Sequence, residues 1–292
     1  MKRILITGAN SYIGTSAEKY FSQWPEQYHV DTVDMVDGSW REKSFTNYDS
    51  VFHVAGIAHQ DSGKITEERR RQYYSVNCDL AKETATKAKA DGVQQFVFMS
   101  SMIVYGSSSE VGNNQEIDLD TEPCPAGSYG DSKLMAEKSI VALADTCFCV
   151  CILRPPFIYG PGCKGNYPRI AKLARRLPFF PSIGNKRSML FIGNLCAFLK
   201  EVIDKRVSGV QLPCNRERVS TFELVSCIAG VHGRRVLPIS IFNPAIRILS
   251  GRLSIVDKVF GGMAYKQGVY ASVLPEMPYS FEESIKLTEG EK

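Results

Sequence analysis

Short apolar runs alternate with helical stretches through the first half of the chain. The runs are continuously apolar, as in Phe96-Val97-Phe98-Met99, which is typical of parallel strands that are buried on both faces. They predict five strands, near Arg3–Thr7, Val30–Asp34, Ser50–Val54, Gln95–Ser100 and Phe148–Arg154. The stretches between them predict helices, near Tyr12–Gln23, Glu68–Asp91 and Tyr129–Asp145. This alternation indicates an α/β fold with right-handed crossovers and a doubly wound parallel sheet.

The pattern changes after Pro155. Proline, glycine and basic residues predominate up to Arg187. A strand-like segment and a helix then follow, near Ser188–Ile192 and up to about Asp204. We expect a main domain and a smaller interleaved lobe, formed by residues 1–155 with 186–213 and by residues 156–185 with 214–292.

The composition is that of an ordinary globular protein. The 292 residues are 44% hydrophobic and 23% charged, and the length suits one large domain or a main domain with a smaller lobe. The longest unbroken apolar run, Cys147–Leu153, is far shorter than the roughly 20 residues that a membrane-spanning helix needs. No basic and then apolar signal segment precedes the strand at Ile4. We therefore expect a cytoplasmic protein.

The nine cysteines are odd in number, and the sequence contains no Cys-x-x-Cys pair. Three of them, Cys147, Cys149 and Cys151, alternate on one face of a predicted strand. This pattern predicts reduced, buried thiols and argues against a disulfide framework or a zinc site. We therefore expect no bound metal.

The net charge of +4 is too small for a general nucleic-acid binder, so we expect no nucleic-acid partner. The charge is nevertheless uneven along the chain. One segment contains seven basic residues and no acidic one: Lys164, Arg169, Lys172, Arg175, Arg176, Lys186 and Arg187.

Two apolar stripes lie within or beyond this basic segment. The first belongs to a predicted helix at Pro168–Leu177, is followed by the Phe179-Phe180 pair, and contains Ile170, Leu173 and Leu177. The second repeats at a spacing of three to four residues and contains Ile246, Leu249, Leu253, Val256 and Phe260. Because apolar helical stripes usually pack inward, we expect both in the core, with the basic residues at the rim of a substrate cleft. The alternative is peripheral contact with an anionic membrane.

The segment from Ile4 to Gly14 is an apolar strand that runs into a glycine-bearing turn and then a helix. Gly8 can take the tight turn, and Gly14 lets the helix pack close to the strand. The amide groups and the dipole of the helix then face an anionic pyrophosphate. The spacing is Gly-x-x-Ser-x-x-Gly, with Ser11 where a glycine is usual, so an ordinary strand-to-helix turn is the alternative.

A second motif places a phenol and an ammonium four residues apart, in Tyr129-Gly130-Asp131-Ser132-Lys133. On a helix, Tyr129 and Lys133 share one face. A nearby cation stabilises phenolate, which makes a tyrosine a usable acid/base near neutral pH. The motif follows a predicted strand that ends in Ser100-Ser101. The two motifs, in this order, predict dinucleotide binding and proton transfer.

With these residues in place, the chain resembles the extended short-chain dehydrogenase/reductase family, and within it the nucleotide-sugar epimerases, dehydratases and ketoreductases. The resemblance implies a Rossmann-type doubly wound parallel sheet with a small interleaved carboxyl-terminal substrate lobe. It covers nearly the whole length and rests on Thr7-Gly8 to Gly14, Phe52-His53-Val54-Ala55-Gly56, Val76-Asn77, Ser100-Ser101 with Val104-Tyr105-Gly106, Tyr129 with Lys133, Leu153-Arg154-Pro155 with Tyr159-Gly160-Pro161, and Arg187-Ser188 with Ile192 and Asn194-Leu195.

The resemblance implies a catalytic set and two binding sets. Tyr129 is the acid/base at a sugar hydroxyl or ketone, and Ser101 hydrogen-bonds the same oxygen and helps to relay the proton. Lys133 holds the nicotinamide ribose and lowers the pKa of Tyr129. The cofactor is NAD, with NADP as the alternative, and it contacts Gly8, Ser11, Tyr12, Ile13, Gly14, Asp34, Val54, Ala55, Gly56, Asn77, Tyr129, Lys133 and Pro156. The nucleotide-diphosphate sugar contacts Ser101, Tyr129, Asn166 and Arg187.

An acidic residue at the end of the second predicted strand bears on the choice of cofactor. Asp34 lies 26 residues after Gly8, where the resemblance implies hydrogen bonds to the adenosine ribose. Its charge would repel the 2′-phosphate of NADP, so Asp34 favours NAD. Asp37 takes this role if the strand ends later. A turn-capping aspartate is the alternative for Asp34, and a helix cap is the alternative for Asn77.

Two departures from the family pattern narrow the chemistry. The 4,6-dehydratases carry an Asp-Glu pair directly after the catalytic serine or threonine, where this chain has Met102 and Ile103, so dehydration is not expected. Sugar epimerases often place an asparagine on the substrate where this chain has Phe157.

The sequence therefore favours a 4-epimerase of a UDP- or dTDP-linked hexose. An NAD(P)H-dependent 4-ketoreductase is the alternative, and a non-catalytic NAD(P)-binding sensor is a third hypothesis. Because similar proteins often form dimers through a helix pair, we expect a homodimer.

Overall fold

A computed structural model describes residues 1–57, 65–107 and 110–290, apart from the side chains of residues 254 and 255. The strands in these residues are β1 (Lys2–Thr7), β2 (Tyr28–Val33), β3 (Ser50–His53), β4 (Gln95–Met99), β5 (Asn114–Ile117), β6 (Cys149–Leu153), β7 (Phe157–Tyr159), β8 (Phe179–Pro181), β9 (Met189–Phe191), β10 (Gly209–Gln211), β11 (Leu237–Ile239) and β12 (Gly262–Tyr265). The helices are α1 (Tyr12–Phe21), α2 (Glu67–Tyr74), α3 (Leu80–Ala90), α4 (Ser128–Val141), α5 (Asn166–Ala174), α6 (Ile192–Asp204), α7 (Thr221–Val231), α8 (Asn243–Leu249), α9 (Ser254–Phe260) and α10 (Phe281–Glu289).

Six of the strands form one parallel sheet, in the order β10-β6-β4-β3-β1-β2. Continuous apolar runs supply its interior strands, so that side chains on both faces of the sheet are buried, Leu5 and Phe96 on one face and Ile6 and Val97 on the other. This arrangement confirms the predicted α/β doubly wound fold. All five predicted strands are present. The three-residue strand β10, which pairs with β6 at the edge of the sheet, was not predicted.

The chain divides into two compact units. The first consists of residues 1–106, 122–155 and 196–213, and it contains the six-stranded sheet. The second consists of residues 107–121, 156–195 and 214–292. It contains three two-stranded parallel sheets, which pair β8 with β11, β5 with β12, and β7 with β9.

A capping box begins α7. The Ser220 hydroxyl accepts the backbone N–H of Glu223 at 3.1 Å, and the Glu223 carboxylate accepts the backbone N–H of Ser220 at 2.6 Å. A second capping box, between Ser280 and Glu283, begins α10. Both satisfy backbone donors that the first turn of a helix leaves without partners.

The helix predicted at Glu68–Asp91 is interrupted. A π-helical turn at Ser75–Asp79 separates α2 from α3. Such turns insert one residue into an α-helix and frequently occur at functional sites. Here the inserted turn carries the buried side chain of Asn77.

The expectation that both apolar stripes pack in the core is wrong. On the first stripe, Leu173 and Leu177 are exposed. On the second, a turn divides the stripe between α8 and α9, and α8 has no buried residue. Leu249 and Leu253 are exposed there. Helical periodicity in these segments therefore marks surface helices, because it shows which residues share a face but not whether another element covers that face.

Within the part of the chain that the structure describes, no helix is both long and apolar enough to cross a membrane.

Candidate active site

The turn after β1 is held against the two neighbouring strands of the sheet. The backbone N–H groups of Gly8 and Ala9 donate to the carbonyl of Val33, at 2.9 and 3.1 Å. Gly8 has a φ of +94°, and a Cβ at this position would lie 2.9 Å from the Cα of Ala55. Only glycine fits this backbone without displacing the loop after β3.

The serine that stands where a glycine is usual begins the helix. Ser11 is the N-cap of α1, and its hydroxyl accepts the backbone N–H of Gly14 at 3.1 Å. Tyr12, Ile13 and Gly14 form the first turn of this helix. The N-terminus of α1 therefore lies next to the carboxyl end of β1, which is the position that the resemblance implies for a pyrophosphate.

Asp34 is exposed and directly follows the last residue of β2. One of its carboxylate oxygens accepts the backbone N–H of Val36 at 2.8 Å. Asp37 accepts both the N–H and the hydroxyl of Ser39, at 3.0 and 2.7 Å, and the bond from the hydroxyl contributes most to lowering the pKa of Asp37. Asp34 thus caps a turn and also lies at the end of the strand, where a ribose would approach.

The end of β3 contains a buried histidine. The His53 ring stacks with Phe96 and Phe98, and its Nδ1 lies 2.8 Å from the Thr7 hydroxyl oxygen. Burial lowers the pKa of His53 to about 3, and the Lys133 charge adds to this effect. His53 is therefore neutral near pH 7 and links β3 to β1 as a structural residue.

Asn77 fixes the loop that follows β3, which contains Val54, Ala55 and Gly56. Its Oδ1 accepts the backbone N–H of Ile57 at 2.8 Å, and its Nδ2 donates to the Ile57 carbonyl at 3.2 Å. A Cβ on Gly56 would lie 3.0 Å from Asn77 Oδ1 and 3.3 Å from Lys133 Nζ. The absence of a side chain at Gly56 therefore lets this loop approach both polar groups closely.

Tyr129 lies in the first turn of α4. Its ring centroid is 5.6 Å from that of Tyr73 on α2. Burial raises the pKa of Tyr129 to about 12, the nearby Ser101 hydroxyl opposes this rise, and the Tyr73 hydroxyl adds to it. This direction is opposite to the lowering that the resemblance implied, because burial outweighs any stabilisation of the phenolate.

Lys133 lies one helical turn after Tyr129 and is buried. Its Nζ donates to the carbonyl of Met99 at 2.9 Å and lies 4.8 Å from the centroid of the Phe98 ring. Burial lowers the pKa of Lys133 to about 8, and the negative charge of Glu137 opposes this shift. The ammonium is thus held at the carboxyl end of β4, on the helix that carries Tyr129.

A buried polar cluster one helical turn after Lys133 was not predicted from the sequence. Glu137 accepts three hydrogen bonds from the Arg154 guanidinium, the shortest at 2.6 Å, and one from the Ser100 hydroxyl. Arg154 also donates to the Tyr105 hydroxyl at 2.7 Å. One signal in the sequence could have indicated the cluster. Glu137 lies four residues after Lys133, and Arg154 ends an apolar strand, so both were candidates for paired buried charges.

The remaining candidate residues lie in the second unit. The Arg187 guanidinium donates to the carbonyls of Lys258 and Val259, at 2.8 and 3.2 Å, and burial lowers its pKa. A guanidinium has five N–H donors, and two of them serve the end of α9 in this way. Asn166 is the exposed first residue of α5, and Pro156 is buried.

Both departures from the family pattern occupy apolar, structural positions. Met102 is buried in a short 3-10 helix, and its backbone N–H donates to the carbonyl of Pro155 at 2.8 Å. Phe157 is the first residue of β7 and pairs with Met189.

The first unit therefore brings together, at the carboxyl ends of its strands, the residue types that a dinucleotide needs. The α1 N-terminus fits a pyrophosphate, and the exposed Asp34 carboxylate fits a ribose. The Gly56 loop beside Lys133 fits a nicotinamide ribose. Ser101 and Tyr129 add two hydroxyl groups near this loop, of the kind that acid/base chemistry uses.

Residues 4–211 match the model of the NAD dependent epimerase/dehydratase family. The match covers well over half of the chain and includes the glycine turn, Ser101, Tyr129 and Lys133. The chain belongs to this family. It is an NAD(P)-dependent enzyme of the extended short-chain dehydrogenase/reductase type.

Known proteins similar to this family member include both epimerases and a reductase. The UDP-glucose 4-epimerase of Vibrio cholerae is 31% identical over 284 residues, which cover 89% of this chain and 86% of that protein. The N-acetyl-α-D-glucosaminyl-diphospho-ditrans,octacis-undecaprenol 4-epimerase of Escherichia coli O157:H7 is 25% identical over 72% of this chain and 65% of its own length. The structure of dTDP-4-dehydrorhamnose reductase from Bacillus anthracis, in complex with NADP, has a TM-score of 0.75 at 19% identity and covers all of both chains.

Proposed function

We propose that the protein is an NAD-dependent 4-epimerase of a nucleotide-diphosphate hexose, UDP- or dTDP-linked. The observation that carries this proposal is the Tyr129 phenol near the Ser101 hydroxyl, which opposes the rise in the pKa of the phenol, with Lys133 buried one turn along the same helix. The similarity to a UDP-glucose 4-epimerase over most of both chains supports it further.

Proton transfer at the sugar 4-hydroxyl is the step that this chain's own residues perform. Tyr129 accepts the hydroxyl proton as C4 is oxidised, and it returns a proton to the ketone oxygen as C4 is reduced. Ser101 hydrogen-bonds the same oxygen and holds it close to the phenol. Bound NAD would accept and return the hydride, and its positive nicotinamide ring would favour the phenolate form of Tyr129.

The raised pKa of Tyr129 favours the reductive half of this cycle, in which the phenol donates a proton. A phenol with a pKa of about 12 is protonated near pH 7, so it can donate a proton to a keto-sugar. The oxidative half requires the opposite protonation state. An epimerase therefore needs a cation near the phenol during turnover, and Lys133 lies on the helix face that can provide it.

We assign binding roles by the same proposal. The first unit holds NAD through the glycine turn, Asp34, the 54–56 loop, Asn77, Tyr129 and Lys133. Pro156 stays a prediction from the sequence. Arg187 and Asn166 bind the substrate diphosphate, for which a guanidinium fork is suited.

The free state of all nine cysteines supports a cytoplasmic location. A homodimer stays a prediction, which light scattering tests.

A 4-ketoreductase is the second candidate, and Phe157 favours it. This apolar side chain stands where sugar epimerases often place an asparagine on the substrate, and a reductase needs only the proton-donating half of the cycle. The comparison with dTDP-4-dehydrorhamnose reductase shows that the same fold accommodates such an enzyme.

One assay separates the two candidates. Purified protein is incubated with UDP- and dTDP-hexoses and their 4-keto forms, while sugar products and NAD(P)H absorbance are measured together. Interconversion of 4-epimers without net change in NAD(P)H supports the epimerase. Stoichiometric loss of NAD(P)H supports the reductase. If none of these nucleotide sugars is epimerised or reduced, a lipid-linked diphosphate sugar is the next substrate to assay, since one similar epimerase is named for such a substrate.

A further inference from the structure

Two basic segments of the second unit lie side by side. Residues 164–187 contain seven Lys or Arg residues and no acidic residue, and residues 224–256 contain no acidic residue and four arginines, Arg234, Arg235, Arg247 and Arg252. The β8–β11 sheet joins the segments, with Leu237 opposite Phe179. The Leu237 N–H also donates to the Pro178 carbonyl at 2.9 Å. Positive charge from two distant parts of the sequence is therefore concentrated on one part of this unit.

The same two segments expose large apolar side chains. Of the 15 large apolar residues that are exposed in the described part of the chain, nine lie in these segments: Leu173, Leu177, Phe179, Leu237, Ile241, Phe242, Ile248, Leu249 and Leu253. Ile241, Phe242 and Ile248 are the most exposed of the nine, at 79%, 56% and 63%. Such a concentration is unusual, because single exposed apolar residues are normally scattered.

Helix α8 is attached to this unit by polar contacts near its N-terminus. The Asn243 side chain donates to the Ser182 carbonyl at 3.0 Å, and Ser182 N–H in turn donates to the Ile239 carbonyl at 3.0 Å. No residue of α8 is buried. A short helix with exposed apolar residues gains little stability from packing. Its orientation is instead fixed by the backbone next to β8, and its apolar side chains are left in contact with solvent.

We propose that these nine apolar residues, together with the adjacent arginines, form a surface that binds an anionic lipid bilayer. We call it the basic apolar surface. Aliphatic and aromatic side chains would enter the boundary between headgroups and acyl chains, and the arginines would pair with lipid phosphates. Long basic side chains suit this position, because their stems cover apolar surface while the charge stays in the polar layer.

The positive charge of the basic apolar surface favours a bilayer over a second copy of the chain as its binding partner. The two segments carry no acidic residue between 164 and 187 or between 224 and 256. From outside them, Glu289 pairs with Arg175 and Asp257 accepts hydrogen bonds from Ser250 and Gly251, and the basic residues outnumber these acidic groups. A second copy that presented the same surface would place like charges together, which is unfavourable. An anionic bilayer supplies the opposite charge and the apolar layer at once. This inference does not rest on the proposed function, since binding is measured without turnover.

Vesicle co-sedimentation of the full chain tests the proposal. Vesicles contain phosphatidylcholine alone or phosphatidylcholine with phosphatidylglycerol. We expect the protein to sediment with the anionic vesicles at low salt, and to sediment much less with neutral vesicles or at high salt. The double substitution Ile241→Ser/Phe242→Ser should lower the bound fraction by about fivefold or more, because both side chains would enter the bilayer.

Matched controls use exposed residues outside the surface. Val36→Ser/Met135→Ser removes two exposed apolar side chains of the first unit and should leave binding unchanged. Arg247→Gln/Arg252→Gln should weaken binding, whereas Lys19→Gln/Lys138→Gln, which removes the same charge from exposed positions of the first unit, should have a smaller effect. Melting temperatures and NAD binding of all variants establish that they are folded.

Three results would overturn the proposal. The protein could stay in the supernatant with anionic vesicles at low salt. Ile241→Ser/Phe242→Ser could bind vesicles as well as the unaltered protein. Binding would then depend on charge alone, at a part of the protein outside the basic apolar surface. Light scattering could also show that the unaltered protein is a dimer and the variant a monomer, while neither binds vesicles. In that case a second copy of the chain covers the surface.

Discussion

Glu137 and Arg154 form a buried ion pair one helical turn beyond Lys133. Their side chains are 4% and 8% exposed, and three hydrogen bonds join the guanidinium to the carboxylate. The pair connects α4, which carries Tyr129 and Lys133, to the end of β6. Ser100 and Tyr105 complete the hydrogen bonding, so that the buried charges are satisfied on several sides.

We predict that Glu137→Gln destabilises the protein by about 3–5 kcal/mol, because it leaves the Arg154 charge buried without its partner. Urea unfolding measures the effect. Glu83→Gln is the matched control, since Glu83 also accepts two hydrogen bonds from an arginine, Arg41, but on the surface. Exposed pairs contribute little, so the control should unfold at nearly the original urea concentration. Equal effects of the two substitutions would contradict the assigned importance of burial.

The sequence predicted the sheet well because each interior strand is a continuous apolar run. Burial on both faces leaves a strong signal, and the glycine turn adds a second one at Gly8, where the backbone conformation excludes other residues. Short strands such as β5, with the sequence Asn-Gln-Glu-Ile, carry no such signal. Their pairing depends on distant partners, in this case β12.

The sequence predicted which residues form the candidate site but not how burial shifts their pKa values. Tyr129 and Lys133 share a helix face, as their spacing indicates. Their pKa values depend on burial by Tyr73, Met99 and Phe98, which come from other elements of the first unit. Spacing in the sequence cannot report that burial, so the raised pKa of Tyr129 was not foreseen.

Tyr129→Phe should abolish turnover while NAD still binds. The substitution removes the hydroxyl near Ser101 and leaves the ring against Tyr73, so the fold should be kept. Loss of general acid/base catalysis typically lowers the rate by about 10²–10⁴-fold. Steady-state rates and NAD titration measure the two properties. A variant with more than about a tenth of the original rate would exclude Tyr129 as the proton-transfer group.

Asp34→Asn should weaken NAD binding and raise the relative affinity for NADP. An amide accepts ribose hydroxyls with one oxygen instead of two, and it has no charge to repel a 2′-phosphate. Titration of both cofactors gives the affinity ratio. Asp37→Asn is the control, because Asp37 lies three residues after Asp34 and its carboxylate caps Ser39. If Asp37→Asn changes the ratio and Asp34→Asn does not, the ribose contact belongs to Asp37.

Arg187→Gln should raise the KM for the nucleotide sugar far more than it changes NAD affinity. The substitution removes the planar fork that suits two phosphate oxygens. It also removes the hydrogen bonds to Lys258 and Val259, so the melting temperature is recorded alongside the kinetics. Arg176→Gln removes an exposed charge from the same basic segment and serves as the control. An unchanged KM in a folded Arg187→Gln protein would return Arg187 to a structural role at the end of α9.

His53 should make stability depend on pH below neutrality. Its pKa is about 3 in the folded protein, because burial disfavours the charged ring, and near 6.5 in the unfolded chain. Between these values the unfolded chain binds more protons than the folded protein, so stability is highest above pH 6.5 and falls as the pH decreases towards 3. From pH 7 to pH 5 the expected loss is about 2 kcal/mol. Urea unfolding across this range measures it, and His53→Gln should reduce the slope even if the variant is less stable throughout. If His53→Gln keeps the original slope, His53 does not determine the acid sensitivity of the fold.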